Sequence, residues 1–398
     1  MNNYKIYLLY LILIIYTIIA LNKEKIIVYY YLNNIIYIKY KKSYKINNGP
    51  YVLKNGINIY EYNPSILKSD KGDIIYTSRL SCKSKSKSII ESNKCKNILK
   101  INKNNNVNNV NIDIIENNYK LIPKNIIENL SNVILKYDNK TIILPIDKIN
   151  INKLNLNNCN ISLGYEDPRL FKFNNKIWIY FHYIGRDNLN NTDKLSRYIT
   201  ISSIDNIDNF IYLHTDDMIK IEKNWMPFEY NNELYFEYSI EPHIILKAQI
   251  DINKNPLGYC DKIYKTENNK IYKNNNNKNK IELGGGSPSV RIKLNGNFYY
   301  LGLCHTRGII KKITTRKNLF YIFRGEPPFD IIYFGKEIHL CNNINNIEFA
   351  TGLIVENYNN SDKIDDYKVI VSYGIDDCCG YINEYKLNDI IDINDIKI

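Results

Sequence analysis

Beyond the N-terminal segment the chain is a succession of short apolar runs rich in Ile, Tyr, Phe and Val, broken by Asn-Asn, Asn-Gly or Lys-Gly pairs. Runs of this length between turn formers predict β-strands. Two of them joined by Asn-Asn or Asn-Gly predict a hairpin, because those residues tolerate the positive φ that tight hairpin turns need. A sustained 3.6-residue period is missing after the N-terminus, so long amphipathic helices are not expected. The pattern is that of an all-β protein.

The hairpins repeat. Five stretches share one design: NPSILKSDKGDIIYTSR from Asn63, EDPRLFKFNNKIWIYFH from Glu166, KNWMPFEYNNELYFEYS from Lys223, GSPSVRIKLNGNFYYLGLCH from Gly286, and ATGLIVENY with KVIVSYG between Ala350 and Gly374. Each opens on a small or polar cluster, enters an apolar strand, turns, and leaves through a second strand that ends in a polar residue. The intervals between openings are 103, 57, 63 and 64 residues, and the first contains the Asn-rich stretch 101–112. A second such stretch, 272–280, also reads as a surface loop. Hairpin repeats of this length predict a five-bladed β-propeller over residues 56–398, its polar openings gathered at one end of a central channel.

The N-terminus follows another rule. Lys5 precedes sixteen residues, Ile6 to Leu21, that are apolar apart from Tyr and Thr. That length lies between a signal-peptide core and the ~20 residues that cross a bilayer. No small-x-small cleavage site stands out, although Ala20 is available. Residues 1–22 are therefore expected to form an uncleaved signal-anchor helix, with a cleaved signal peptide as the alternative, and residues 23–55 a stalk or linker. Either way residues 23–398 cross a membrane. The expected setting is the secretory pathway, as a lumenal domain anchored in the ER or Golgi membrane or as a secreted protein.

Composition adds to this picture. Eight cysteines (Cys82, Cys95, Cys159, Cys260, Cys304, Cys341, Cys378 and Cys379) suit an oxidising lumen. None forms a CxxC pair, so zinc is not expected, and no cofactor is implied. Asn129, Asn139, Asn160, Asn190 and Asn359 begin Asn-x-Ser/Thr glycosylation acceptors. The formal charge is +12, but the lysines are scattered among asparagines and form no basic stripe interleaved with aromatics. Nucleic acid is not an expected partner; an attraction for phosphate groups remains.

The densest chemistry is Glu166-Asp167-Pro168-Arg169. Asp-Pro alone is a common turn former. Two carboxylates and a guanidinium within four residues can do more, because the arginine holds one carboxylate ionised while the other works as acid or base. Basic residues recur at the other openings: Arg79, Arg197, Lys223, His305 and Arg307. Together they read as a clamp for phosphate or a leaving group. His305 also fits a satisfied core histidine. Glu241 and His243, after the third hairpin, are candidates for a sugar pocket or for strand-end packing. Of Asp376 and Asp377, which end the fifth hairpin, one is expected to face the channel.

These openings resemble those of the β-mannoside phosphorylases of glycoside hydrolase family 130, and of related β-mannosyltransferases, from about Tyr62 to Tyr381. The family's Asn-Pro opening and strand-ending Arg are matched by Asn63-Pro64 and Arg79. Its Glu-Asp-Pro-Arg signature is matched by Glu166 to Arg169, and its blade-three Lys by Lys223, with Arg197 before it. Its Tyr-His-Gly strand end is matched by Cys304-His305-Thr306, and its Tyr-Gly-x-x-Asp by Tyr373-Gly374 with Asp377. The resemblance implies that Asp167 acts as acid/base through a sugar hydroxyl. It also implies that Arg197, Lys223 and His305 hold phosphate while Asn63, Arg79 and Arg169 position mannose. Where the phosphorylases carry a tyrosine shortly after the histidine, this chain has Arg316, Lys317, Phe320 and Tyr321.

The expected function is a mannosyltransferase using a sugar-phosphate or nucleotide-sugar donor and a glycan acceptor. Phosphorolysis or hydrolysis on the same propeller is the first alternative, and glycan binding without catalysis the second. A second carboxylate across the channel from Asp167 would favour hydrolysis. A doubly wound nucleotide-sugar transferase is disfavoured, since the chain has no Asp-x-Asp motif. If residues 1–22 are an anchor, the mature protein isolated from membranes retains them. N-terminal sequencing that starts near Leu21 would leave secretion alone.

Overall fold

The computed structural model describes residues 42–45, 51–52, 58–82, 131–137, 140–144, 159–187, 195–219, 221–251, 257–267, 282–310, 313–341, 347–357, 362–392 and 396. The expected anchor, residues 1–22, and most of the expected linker lie outside them. Among the described residues no helix is long and apolar enough to cross a membrane.

What is described is almost entirely β, in five antiparallel units. The first comprises β2 (Tyr51–Val52), β3 (Asn58–Lys68), β4 (Ile74–Cys82), β5 (Ser131–Tyr137) and β6 (Lys140–Ile143). The second comprises β7 (Cys159–Phe173), β8 (Lys176–Asp187), β9 (Leu195–Ser203) and β10 (Ile211–His214). The third comprises β11 (Met226–Tyr230), β12 (Glu233–Ile240), β13 (His243–Gln249) and β14 (Leu257–Thr266). The fourth comprises β15 (Glu282–Gly285), β16 (Val290–Leu294), β17 (Asn297–Ile310), β18 (Ile313–Arg324) and β19 (Ile331–Phe334). The fifth comprises β20 (Glu348–Asn357), β21 (Tyr367–Ile375) and β22 (Cys379–Lys386), with β1 (Lys42–Lys45) on its outer edge.

The turns explain the hairpins. Asn174-Asn175, Asn231-Asn232 and Asn295-Gly296 join β7 to β8, β11 to β12 and β16 to β17, all with φ between 49° and 82°. That is the left-handed turn whose twist matches the strands it connects.

Contacts run round in a circle. β3 packs against β7 and β20, β7 against β11, β12 against β15, and β17 against β20. Apolar clusters fill the seams in the same order. Val133 and Leu135 meet Tyr165 and Phe181; Trp178 and Phe171 meet Trp225 and Phe236; Phe228 meets Tyr300 and Phe323. Leu301 and Phe320 meet Leu353 and Val371, and Ile66 and Tyr76 meet Ile354 and Ile370. Each fully buried side chain of this kind contributes about 1.5–3 kcal/mol, so every unit depends on both neighbours. The arrangement is propeller-like.

The fold begins earlier than residue 56. Lys42–Lys45 pairs antiparallel with Glu384–Tyr381, and Tyr51 pairs with Ile59. Both short segments fall within the expected linker, residues 23–55. The partner of the first lies more than three hundred positions along the chain, and that of the second is the next described strand.

The first and second units touch through Ser131 and Gly164, which pair in parallel. Gly164 has φ +90°, and a Cβ there would stand 1.8 Å from the Ser131 carbonyl oxygen. Gly164→Ala is therefore expected to cost ~2 kcal/mol or more and to lower Tm by several degrees in a thermal melt. An unchanged Tm would contradict this close approach.

Candidate active site

β3 and β7 are each interrupted at the same place in the repeat. Register skips between Tyr62 and Ser65 on β3 and between Glu166 and Arg169 on β7. The residues left out are Asn63-Pro64 and Asp167-Pro168, and Asn63 and Asp167 have φ 50° and 49°. Bulges of this kind re-aim side chains out of the strand plane. Asn224, before β11, has φ 63°, and Asp377, in the turn after β21, has φ 51°. All four line one cleft of about 410 Å³. Glu166, Arg79, Arg197, Lys223, His305 and Arg307 line it too, so the cleft unites residues from every unit.

One part of the cleft is an acidic pair under arginine control. The Asn63 side-chain amide donates to Asp167 Oδ1 at 2.9 Å, and Arg79 reaches the same oxygen at 3.3 Å. Arg79 also donates to Glu166 Oε1 and, through Nε, to Ser131 Oγ at 2.8 Å. Arg197 Nε donates to Glu166 Oε2 at 2.7 Å. Burial would raise the Asp167 pKa, but Arg79, His182, the Asn63 hydrogen bond and Arg169 outweigh it and hold the group at about 2. Asp167 is an ionised acceptor.

His182, the last residue of the second repeat stretch and midway along β8, was not foreseen as a site residue. Its Nε2 accepts from the Asn224 backbone N–H at 3.0 Å and faces the Tyr180 hydroxyl at 2.9 Å. A nitrogen that accepts from a backbone N–H is unprotonated, so the neutral ring carries its proton on Nδ1. Burial, then the charges of Arg169, Arg197 and Arg79, depress its pKa to about 3 despite the opposing pull of Asp167.

The other part is basic. Lys223 has a lowered pKa, first from burial and then from Arg197, Arg307 and Arg316. Lys223, Arg307 and Arg316 form no ion pair among the described residues. His305 is 6 % exposed and lies over Gly284, where a Cβ would meet the ring at 2.6 Å. Burial and the neighbouring Arg316, Arg169 and Lys223 push its pKa down to about 3. His305 is thus both a buried histidine and a lining residue.

Three expected residues are placed elsewhere. Arg169 is 0 % exposed and sits beneath the cleft. It donates to Asn224 Oδ1 at 2.9 Å and to the Trp225 carbonyl at 3.2 Å, between the rings of Tyr180 and Phe349. It therefore positions the Lys223–Trp225 segment and adds positive field under Asp167. Glu241 and His243 belong to the β12–β13 turn, and β13 is the third strand out from the innermost. Neither lines the cleft. His243 points into the seam, with Nε2 2.9 Å from Glu237 Oε2 and Nδ1 3.0 Å from the Phe329 carbonyl oxygen of the fourth unit.

Ligand atoms of Glu166, Asp167 and His182 lie within 4.8 Å of one another, as a metal site would require. The charges argue against that use. Both Glu166 oxygens accept from arginines, Asp167 Oδ1 from Asn63 and Arg79, and His182 Nε2 from Asn224. A divalent cation would have to displace two guanidinium groups from its own ligands.

No family model matches the chain, and no curated protein does. Among solved structures it is similar to a mannose phosphorylase from Leishmania mexicana in complex with a phosphate ion. Identity is 11 %, coverage 87 % of this chain and 89 % of that one, and the TM-score 0.43. It is also similar to a hypothetical protein from Leishmania major, at 14 % identity, 87 % and 91 % coverage and TM-score 0.41. A third is an α-L-arabinofuranosidase from Lactobacillus brevis, at 12 % identity, 82 % and 90 % coverage and TM-score 0.42.

The two buried histidines set an acid limit on stability. An unfolded chain protonates histidine near 6.5, whereas His182 and His305 resist until about 3. The unfolded state binds more protons between those values, so stability falls as pH drops, by up to about 1.4 kcal/mol per pH unit per ring. Denaturant melts should show the fall between pH 6.5 and 5, and His305→Gln should remove about half of it. A flat profile would mean that neither ring is held neutral.

Proposed function

We propose that the chain is a carbohydrate-active enzyme, built as a five-bladed β-propeller, that transfers β-linked mannose from a phosphate-activated donor to a glycan acceptor. The observation that carries this reading is the division of one cleft. Ionised Asp167 stands beside the arginine-held Glu166, and Lys223, Arg307 and Arg316 stand near it without ion pairs. Sugars need few charges; a phosphate needs several. A secretory setting, with the N-terminal segment as anchor, belongs to the same proposal.

In this reading the residues divide the work. Asn63 and Arg79 hold Asp167 Oδ1 and leave the rest of that carboxylate to accept from a sugar hydroxyl. Through that hydroxyl Asp167 takes the acceptor's proton as the new glycosidic bond forms, on the face opposite the departing phosphate, with inversion. A pKa near 2 is low for a general base, but the incoming phosphate brings negative charge beside Arg197 and Lys223. That charge offsets the arginines and raises Asp167 toward the working range. Asp377, another lining carboxylate, is available to a sugar hydroxyl.

Phosphorolysis is the same step reversed, with inorganic phosphate in the basic part and Asp167 protonated at the start. Incubation with GDP-mannose, mannose 1-phosphate, or phosphate plus β-mannosides separates these: consumption of an activated mannose supports transfer. Cleavage of mannosides without phosphate would make the protein a hydrolase and end the proposal.

Asp167→Asn keeps the acceptor atom for Asn63 but removes the basicity. Turnover should fall by ~10²–10⁴ in protein that still melts cooperatively and still binds sugar. Near-normal activity in such folded protein, with only a lowered Tm, would reduce Asp167 to a structural cap.

A further inference from the structure

The basic part of the cleft holds more positive charge than one phosphate group uses, and it is laid out in two rows. β17 and β18 place Arg307 directly opposite Arg316, and both line the cleft. Directly opposed side chains stand about 4.5–5.5 Å apart at Cβ, and like charges there repel. Neither arginine makes an ion pair among the described residues, and Glu282 of β15 stands directly opposite Arg307 on its other side. His305, two residues earlier on β17, lies on the same face about 7 Å along the strand. It forms the inner row with Lys223 and Arg197, nearer the acidic pair. Two buried atoms in these rows have no hydrogen-bond partner, His305 Nδ1 and Arg316 Nε.

We propose that the outer row, Arg307 with Arg316, binds a second phosphate group, so that the donor is a sugar linked to a diphosphate. This rests on the reading of the cleft as a phosphate site. The phosphate bonded to the sugar occupies the inner row, and the distal phosphate takes the two guanidinium forks, which suit paired oxygens. In the step, the acceptor oxygen forms a bond to the anomeric carbon and the carbon–oxygen bond to the diphosphate breaks. The electron pair leaves on the diphosphate oxygen, and the acceptor's proton passes to Asp167 through the sugar hydroxyl. An arginine pair that repels itself when empty gains most from a ligand that brings added negative charge to it.

A nucleoside diphosphate and a polyprenyl diphosphate carry the same group. Calorimetry on the full chain in detergent, at constant ionic strength, should compare inorganic phosphate, inorganic diphosphate, guanosine diphosphate and farnesyl diphosphate. Diphosphate is expected to bind at least tenfold tighter than phosphate. Arg316→Gln should reduce that preference below threefold, and so should Arg307→Gln, whose exposed side chain is not needed for folding. Tighter binding of guanosine diphosphate than of diphosphate supports a nucleotide carrier, and of farnesyl diphosphate a lipid one. Equal affinity for phosphate and diphosphate overturns the second subsite but leaves the phosphate reading intact. No binding of either overturns both.

Discussion

Glu166 is gripped by guanidinium groups from two neighbouring units, Arg79 on β4 and Arg197 on β9. The cleft depends on that grip. Consecutive carboxylates at a channel mouth repel each other, and the two arginines balance Glu166 so that its neighbour feels chiefly Arg79 and Asn63. The grip also spans a seam, because Arg79 belongs to the first unit, where it is steadied by Ser131, and Glu166 to the second. A mostly buried ion pair of this sort adds little stability beyond a well-packed apolar contact. What it supplies is orientation: both carboxylates have a defined direction before any ligand arrives.

Much of this was legible in the sequence, and for definite reasons. Asn-Asn and Asn-Gly announce left-handed turns, so the hairpins could be placed. Asn63-Pro64 and Asp167-Pro168 mark their bulges because few residues other than Asn, Asp or Gly accept positive φ there. Other parts were not legible. β1 is four residues long and pairs with a strand more than three hundred positions away, beyond the range of any local signal. Arg169 reads like a ligand, yet its register after the bulge turns it under the floor, between two aromatic rings. His182 had a signal, the polar end of a repeat strand, but nothing in the sequence distinguishes a channel-facing end from a buried one. Arg316 needed the register with Arg307, which only strand pairing supplies.

Glu241 and His243 show why charge near a repeat end misleads. The seams carry their own polar links, and these use the same residue types as active sites. Glu237 accepts from His243, Tyr321 and Ser289, joining the third unit to the fourth. Glu348 accepts from Asn318 and from the backbone N–H groups of Leu340 and Cys341, joining the fourth to the fifth. Glu61 accepts from Tyr51, Tyr76 and Ser78 within the first. Each carboxylate is fully buried and surrounded by donors. The difference from Asp167 is access: these groups open onto no cleft, so their hydrogen bonds hold seams together and have no spare capacity for a ligand.

The outer edge of the fifth unit is β1, drawn from the opposite end of the chain, where Lys42–Lys45 lies against the last long strand. Domains emerging from a ribosome usually settle in order from the N-terminus. This one cannot finish that way. The pairing of β1 with β22 must wait while more than three hundred residues are synthesised. Gly374 and Asp377 precede β22 by only a few residues, so the last lining residues of the cleft and the partner of β1 are made together, late in synthesis. A nascent chain cut short before residue 374 would lack both the partner of β1 and part of the cleft lining, which ties the appearance of function to the completion of synthesis.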